Sequence, residues 1–343
     1  MSMTWRAAME RALYGPGGFF VTGPGPAAHF RTSAHVTDTL APVVLRLLTR
    51  VDAALGHPQR LDVVDIGAGQ AELLLALAGL APEDLSRRLR LTAVELSPRP
   101  GSLPASIEWR DRPPAGVVGL LIATEWLDNV PLDLAGAGPA GWHEVRVDPS
   151  TGTESTGAPV TGPDLDWLTR WWPAPPAEPA RPAVPAPGAR AEIGRPRDSA
   201  WAEAVGTISR GLALAVDYGH LRADRPTGGT LTGFRAGRQV PPVPDGSCDL
   251  TAHVAIDSVA TAGEAVAGMP YTLVGQRAAM RALGADGSRP PLALASTDPA
   301  GYVRALAAAS RVAELTEPAG LGGHWWLLQP VGLDPTGLLS EPR

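Results

Sequence analysis

The sequence predicts an α/β protein with a Rossmann-like, mostly parallel sheet, helices on both of its faces, and insertions. Two observations lead to this prediction. Patterns typical of buried strands alternate with patterns typical of helices between residues 61 and 331, which is the order that parallel sheets with crossover helices require. In addition, the first buried strand continues directly into a helix through a turn that contains Gly67 and Gly69.

The individual elements follow from the spacing of apolar residues. Helical spacing predicts a helix from about Pro42 to Leu55, ahead of the sheet. The predicted strands are LDVVDI, RLRLTAVEL, SIEWR, VVGLLIATE, LALAVDY and GGHWWLLQPV, and the predicted helices are AELLLALAGLA, SAWAEAVGTISRG and PAGYVRALAAASRVAEL. The segment WLDNVP, after the fourth strand, is predicted to be a helical turn, and a helix followed by a closing hairpin would complete the sheet.

Composition suggests how the chain is divided. Residues 1–60 are predicted to be an N-terminal segment of helix and loop, and residues 61–134 and 190–335 the core. Residues 135–189 are predicted to be an insertion with a proline-rich linker, because seven prolines lie between Pro173 and Pro187. Residues 220–285 are predicted to be a loop-rich insertion within the core, with one helix around YTLVGQRAAMRALG.

Composition also excludes several classes of protein. The net charge of −6 argues against nucleic-acid binding, which needs a basic surface, and no apolar stretch is long enough to predict a membrane span. Apart from histidines, all 29 basic residues are arginines, which disfavours P-loop nucleotide-binding proteins and pyridoxal phosphate enzymes because both need a lysine. The single cysteine, Cys248, forms neither a disulfide framework nor a cysteine-rich zinc site, so we predict no metal and a reducing, cytoplasmic setting.

The turn after the first strand reads Asp65-Ile66-Gly67-Ala68-Gly69. A dinucleotide fingerprint would need a third glycine where Glu72 stands, and a carboxylate there would repel a pyrophosphate. S-adenosylmethionine, a nucleoside ligand without phosphates, fits better. Gly67 and Gly69 would let the backbone approach its methionine tail, and Asp65 could orient its ammonium group. The alternative is a tight turn without a ligand.

Two other parts of the sequence are predicted to contact the same cofactor. Glu95 lies at the end of the second strand, where one carboxylate can accept hydrogen bonds from both hydroxyls of a ribose. The alternative for Glu95 is an exposed strand end with no ligand. Thr32 and Ser33 are predicted to reach the cofactor, with the capping of a helix as their alternative role.

Several stretches of the sequence occur together in one order. They are ALYGPGGFF, HFRTS, VDIGAGQAEL, AVELSPR, EWLDNVP, WHEVRV, AVDYGH, GTLTGFR and GSCDLTAHV. This order resembles the MidA-type methyltransferases, a family that includes the mitochondrial complex I assembly factor that methylates an arginine. The resemblance runs from about residue 8 to about residue 330. It implies the class I methyltransferase sheet with a family insertion, and S-adenosylmethionine as the cofactor.

The chain departs from the pattern of that family at two positions. The third glycine of the loop is replaced by Ala71, the smallest possible substitute, which leaves cofactor binding as the expectation. The first segment of the family often reads Thr-Ser/Ala-Pro-Glu, whereas this chain has His35 at the position of the glutamate. That change bears on the identity of the substrate or on the detailed chemistry.

The motif EWLDN supplies the predicted catalytic carboxylates. Glu125 and Asp128 follow a buried strand and so fall at the carboxyl edge of the sheet, where open α/β folds bind ligands. Carboxylates in this arrangement can accept the paired donors of a guanidinium and take up the proton that it loses. The alternative is that Glu125 ends a strand while Asp128 bonds a local turn.

Three further polar residues are candidates for the same site. His220, after VDYG, is predicted to act as a base or to position the substrate, with a bond to a loop carbonyl as the alternative. Asp249 and His253, in CDLTAHV, are expected to fasten the insertion to the core rather than to touch the substrate.

Together these features predict a methyltransferase that acts on an arginine of a protein partner, without nucleic acid or membrane as partners. Two other functions stay open. A small-molecule methyltransferase would share the cofactor site but have a deep apolar pocket, and a non-catalytic assembly factor would keep the fold with weak or absent cofactor binding. The sequence does not indicate an oligomeric state.

Overall fold

The computed structural model describes residues 1–22, 32–138, 141–172, 185–285, 287–317 and 320–339 of the chain. Of residues 22 and 32–38, only the backbone is described. Within these ranges, no helix has both the length and the apolar character that crossing a membrane requires.

The strands and helices of the described ranges are numbered in chain order. The strands are β1 (Met3–Thr4), β2 (Leu61–Ile66), β3 (Leu89–Val94), β4 (Ile107–Arg110), β5 (Val117–Thr124), β6 (Asp133–Gly138), β7 (Gly141–Val147), β8 (Glu154–Pro159), β9 (Arg190–Ile193), β10 (Ile208–His220), β11 (Thr232–Arg235), β12 (Arg238–Val240), β13 (Asp249–Thr251), β14 (Val254–Ala255), β15 (Thr272–Gly275) and β16 (His324–Val331). The helices are α1 (Trp5–Tyr14), α2 (Phe19–Thr22), α3 (Thr32–Ala54), α4 (Glu72–Leu80), α5 (Glu83–Ser86), α6 (Gly162–Trp171), α7 (Arg195–Gly206), α8 (Ile256–Ala267), α9 (Gln276–Ala282), α10 (Leu292–Thr297) and α11 (Pro299–Leu315).

The central sheet has the strand order β15-β16-β10-β5-β2-β3-β4, and β14 pairs with the end of β10. Neighbouring strands from β4 to β10 are parallel, whereas β16 is antiparallel to both β10 and β15. Because β16 runs in the opposite direction, its first residue lies at the edge where the parallel strands end. His324 is accordingly paired with Tyr218 of β10.

The two faces of this sheet are buried by different helices. Leu61 and Val63 of β2 pack in one core cluster with α3, α4 and α9, whereas Val64 and Ile66 pack in a second cluster with α7 and α8. All six residues of β2 are therefore buried, as expected for a parallel strand covered on both faces. The predicted α/β, Rossmann-like sheet with helices on both faces is confirmed.

In the described part of the chain, two smaller sheets accompany the central one. Strands β1, β7, β6 and β9, with β8 beside β7, form an antiparallel sheet, and β12, β11 and β13 form a three-stranded sheet. Trp5 and Met9 of α1 pack with Leu134 of β6 and Leu250 of β13 in a further core cluster. Helix α1 therefore packs against both of the smaller sheets.

The structure differs from the sequence-based expectation in three segments. The helix predicted from about Pro42 to Leu55 begins earlier, at Thr32, and includes Pro42 in its interior. Residues 220–285 contain more regular structure than one helix, because α8 precedes the short strand β15 and the helix α9. Residues 135–189 include most of the antiparallel sheet in addition to α6. Most of the predicted proline-rich linker, residues 173–184, lies outside the described residues.

Candidate active site

A cavity of about 1510 Å³ lies at the carboxyl edge of the central sheet. The glycine turn after β2, Glu95 after β3, and Glu125 and Asp128 after β5 all line it. The structure thus brings together the predicted cofactor residues Asp65, Gly67, Gly69 and Glu95 with two of the predicted catalytic residues. The edge of an open α/β sheet is where such folds bind ligands.

The glycine turn depends on left-handed backbone conformations. Gly67 has φ +70° and Gly69 has φ +55°, and Ala71 also adopts a left-handed conformation with φ 64°. A Cβ atom on Gly67 would lie 3.2 Å from Cδ1 of Trp126. Gly67 is therefore required both by its φ angle and by the indole ring that packs against it.

We expect Gly67→Ala to lower the free energy of unfolding by about 1–3 kcal/mol, since an L-residue in this conformation costs about 1–2 kcal/mol and the Trp126 ring must also move. The matched control is Gly79→Ala, an identical chemical change on α4 where a Cβ would meet nothing within 4 Å. That control should be neutral or stabilising. Urea unfolding of both variants measures the difference, and equal stabilities would contradict this account of the turn.

The Glu95 carboxylate is fixed at the glycine turn by three backbone amides. Its Oε2 accepts a hydrogen bond from Gly69 N at 3.1 Å, and its Oε1 accepts from Leu96 N at 2.8 Å and from Ser97 N at 3.1 Å. Because a carboxylate has about four acceptor positions, Glu95 can still accept another hydrogen bond. Glu95 thus lies at the turn, as a ribose-binding residue would.

The surroundings of Asp65, at the start of the turn, strongly change the pKa of its side chain. It is buried, and its Oδ1 atom has no hydrogen-bond partner among the described residues. Burial, together with the nearby charges of Glu72 and Glu95, raises the pKa of Asp65 to about 8. A buried carboxylate with an unpaired oxygen beside two other acids is suited to receive a cation.

Glu125 differs from the other carboxylates that line the cavity in its backbone conformation. It has φ +48°, in the left-handed region, and its amide donates to Val216 O at 2.9 Å. Its side chain is 43% accessible, but that surface faces the cavity, which it lines. Desolvation by the surrounding protein and the charge of Asp128 raise the pKa of Glu125 to about 7. Backbone strain of this kind is concentrated at functional sites.

Asp128 lies in the 3-10 turn Leu127–Asn129 and is buried. Its Oδ2 accepts hydrogen bonds from the Tyr218 hydroxyl and, at 2.6 Å, from Thr251 Oγ1. Its Oδ1 is buried without a hydrogen-bond partner among the described residues. One oxygen is therefore held by the protein, and the other is available to a donor in the cavity.

The structure places His220 away from this arrangement. His220 is not among the described residues that line the cavity. Its Nδ1 accepts from the Arg225 guanidinium at 2.8 Å, and its ring packs edge-on against Trp172 with the ring centroids 5.1 Å apart. The nitrogen that a general base would use is thus already bonded. The catalytic assignment of His220 stays a prediction that the cavity geometry does not support.

Asp249 and His253 both line the cavity. Asp249 Oδ1 accepts from Asn129 Nδ2 at 2.8 Å, which fastens β13 to the turn that carries Asp128. Burial and the nearby charges of Asp128 and Glu125 raise the pKa of Asp249 to about 8. The expected fastening of the insertion is present for Asp249, and the same residue also contributes to the cavity wall.

Sequence reasoning missed Arg197, which ties together two segments of the cavity wall. This buried arginine of α7 donates to four backbone carbonyls in the two segments that carry Asp128 and His253. The acceptors are Val130 O at 3.1 Å, Ala252 O at 2.8 Å, His253 O at 3.0 Å and Asp128 O at 2.5 Å. No motif indicates such a role, because its partners are backbone atoms far away in the sequence.

Sequence reasoning also missed His324, at the start of β16. Its ring lines the cavity, and its Nε2 is 3.8 Å from Glu125 Oε1. The available signal was the antiparallel last strand, whose first residue must lie at the same edge as the ends of the parallel strands. The side chains of Thr32 and Ser33 lie outside the described residues, so their predicted contact with the cofactor stays a prediction.

Comparison with known proteins identifies the family. The family model described as "Putative S-adenosyl-L-methionine-dependent methyltransferase" matches residues 43–273, more than half of the chain. The chain belongs to this family. The protein is therefore an S-adenosylmethionine-dependent methyltransferase. A comparison with curated proteins gave no match.

Two solved structures have the same fold as this methyltransferase. A COG1565 superfamily member from Burkholderia thailandensis, bound to S-adenosylhomocysteine, superposes with a TM-score of 0.76 at 23% identity, covering 97% of this chain and 89% of that one. A native structure of a COG1565 superfamily protein from the same organism gives a TM-score of 0.75 at 23% identity, covering 99% of this chain and 90% of that one. The sheet is that of the class I methyltransferases.

The residues at the glycine turn of the methyltransferase fit its cofactor. The unpaired, buried Oδ1 of Asp65 is suited to the ammonium group, the exposed backbone of Gly67 lines the cavity, and Glu95 has acceptor capacity for the ribose. Both positive charges of S-adenosylmethionine, the ammonium and the sulfonium, are compatible with a turn surrounded by Asp65, Glu72 and Glu95.

Proposed function

We propose that the methyltransferase is of the MidA type and methylates an arginine of a protein partner. The observation that carries this proposal is the accessible carboxylate of Glu125 and the unpaired Oδ1 of Asp128, both in the same cavity as the cofactor turn. A guanidinium presents a planar set of N–H donors and a fixed positive charge, and carboxylates bind both.

The overall charge of the cavity supports a cationic acceptor. Among the described residues, nine with a carboxylate line it, against three arginines. Phosphorylated and other anionic substrates would be repelled by such a lining, whereas a guanidinium would be attracted. An apolar small molecule would leave several of these carboxylates desolvated without a partner, which is costly.

The chemistry needs positioning and one proton acceptor. S-adenosylmethionine, when bound, supplies a methyl group on a positively charged sulfur that a nitrogen can attack in line. Asp128, held by Tyr218 and Thr251, would orient the guanidinium through its second oxygen. Glu125 would accept the proton that the nitrogen loses, and its raised pKa suits that task near neutral pH.

We further propose that the enzyme acts in a reducing, cytoplasmic compartment. The single cysteine, Cys248, is buried and free, which supports a protein that does not rely on disulfides.

The direct test uses purified protein, S-adenosylmethionine labelled in its methyl group, and a lysate of the organism that makes the protein. We expect one labelled protein band, with methylarginine after hydrolysis. Glu125→Gln should abolish the label, and the matched control Glu83→Gln, at an exposed position of α5, should keep it. Label in another amino acid or only in small molecules would contradict the proposal. Absent label together with weak or absent cofactor binding would favour the assembly-factor function.

A further inference from the structure

His324 is held in one orientation against Glu125. Its Nδ1 lies 2.7 Å from Leu321 O, and since a carbonyl oxygen can only accept, Nδ1 carries the hydrogen in this contact. The Tyr218 ring packs edge-on against the imidazole, with the ring centroids 5.4 Å apart. The second ring nitrogen, Nε2, is thereby turned toward Glu125 Oε1, 3.8 Å away.

The Nε2 atom of His324 is not used by the fold. It is buried and has no hydrogen-bond partner among the described residues, and the side chain is only 7% exposed. Burial lowers the pKa of His324, so the ring is neutral at physiological pH. With Nδ1 protonated, a neutral ring has its lone pair on Nε2, and that lone pair faces the carboxylate.

We propose that His324 is a positioning residue that receives a proton from Glu125, so that Glu125 returns to the carboxylate form that binds the acceptor. The proposal rests on the proposed function, in which Glu125 takes the proton of the methylated nitrogen. The balance is simple: the nitrogen gains a methyl group and loses one proton to Glu125 Oε1. The same proton then moves to His324 Nε2, giving an imidazolium, and leaves to water.

The geometry allows this transfer, and because burial lowers the pKa of His324 below that of Glu125, the imidazolium forms only briefly before its proton leaves to water. A carboxylic acid beside a neutral imidazole can exchange its proton over a short path once the two atoms approach hydrogen-bond distance, and side-chain movement of about 1 Å achieves this. The charged and titratable groups around the pair belong to three other segments of the cavity wall. They are Asp128 in the 3-10 turn, Asp217 and Tyr218 on β10, and Asp249 and His253 on and after β13. The charge of Asp128 stabilises a positive charge on His324, whereas burial and the neighbouring His253 oppose it.

The first test needs no acceptor substrate. The full-length protein, labelled with ¹⁵N in its histidine rings and saturated with S-adenosylhomocysteine, is titrated by NMR, and the His324 signals are assigned by their loss in His324→Asn. We expect the Nε2 signal of His324 to shift as pH passes through about 7 in the wild type and not in Glu125→Gln, because Glu125 takes up a proton there that it can donate to the Nε2 lone pair. A wild-type Nε2 signal without that shift would overturn the proposal, whatever the substrate is.

The second test measures turnover and separates the two proposals. Asparagine at position 324 retains a donor for Leu321 O but has no titratable nitrogen, so His324→Asn should fold, keep its KM for S-adenosylmethionine, and lose about tenfold to a hundredfold in kcat. The control His57→Asn, at an exposed histidine 66% accessible to solvent, should keep kcat. Wild-type kcat in His324→Asn would overturn the role of His324. If the NMR titration gives the expected result but no methyl group is transferred to arginine, only the proposed function is contradicted.

Discussion

Glu125→Gln is expected to reduce methyl transfer by at least about a hundredfold while leaving the affinity for S-adenosylhomocysteine unchanged. Glutamine has the size of glutamate, but it carries no charge for a guanidinium and cannot take up its proton. Cofactor affinity should persist because the residues of the glycine turn and Glu95 are untouched. Single-turnover transfer and calorimetry measure the two quantities, with Glu83→Gln as the control.

The pH dependence of the wild-type enzyme provides a second measurement of the same role. Glu125 has its pKa raised above the ordinary value of 4.5 to about 7, so the carboxylate form that the proposed mechanism needs is lost as pH falls through 7. The rate of methyl transfer by the wild type should therefore decline as pH falls below about 7. A flat rate between about pH 5 and pH 8, or wild-type transfer by Glu125→Gln, would contradict the assignment.

The left-handed backbone of Glu125 makes it possible to separate function from stability. A non-glycine residue in this region destabilises the folded state by about 1–2 kcal/mol, and glycine removes that cost. Glycine also lowers the free energy of unfolding by about 0.5–1 kcal/mol, because it has more conformational freedom in the unfolded chain. Glu125→Gly should therefore keep its melting temperature within a few degrees and still be inactive. A large loss of thermal stability would indicate that Glu125 supports the fold, and its conformation would then need another explanation.

The parts of the fold that were predicted correctly depend on local sequence patterns. Strands β2, β3, β5 and β10 are runs of apolar residues buried on both faces of the sheet, and the glycine turn is determined by two nearby positions, Gly67 and Gly69. The same turn, with Asp65 and Glu95, indicated the cofactor. Each of these features is contained in a segment of a few residues, so one sequence is enough to recognise it.

The parts that were missed depend on contacts between distant segments. Strand β15 has four residues, and only pairing with β16 makes it a strand. Strand β6, with the sequence DLAGAG, lacks an alternating apolar pattern and is held by its antiparallel neighbours β7 and β9. His324 and Arg197 act through partners far away in the chain. No local pattern distinguishes such residues from ordinary core residues.

Asp65→Asn is expected to have opposite effects on cofactor binding and on stability. Asp65 has a folded-state pKa of about 8, against an ordinary value of 3.8. The native protein thus binds this proton more tightly than the unfolded chain, and the stability this provides is present below about pH 4 and is lost as pH rises through 8. Asparagine cannot ionise, so the variant should become more stable than the wild type, by on the order of a few kcal/mol, as pH approaches about 9.

Cofactor binding should change in the other direction, because the ammonium group pairs with the ionised form of Asp65. In the wild type, affinity for S-adenosylhomocysteine should rise between about pH 6 and pH 8, with release of a proton to the buffer. In Asp65→Asn, affinity should fall by on the order of tenfold or more and lose this pH dependence. Calorimetry in two buffers of different ionisation enthalpy, alongside thermal unfolding, measures both effects.

The control for Asp65 is Asp84→Asn, an identical change at an exposed position on α5, which should affect neither quantity. Loss of affinity without a gain in stability at high pH would mean that Asp65 is already ionised in the free protein. Burial would then not raise the pKa of Asp65 to about 8. Unchanged affinity would mean that the ammonium group binds elsewhere in the cavity. Only the combination of weaker binding and higher stability fits a carboxylate that is desolvated by the fold and retained for its ligand.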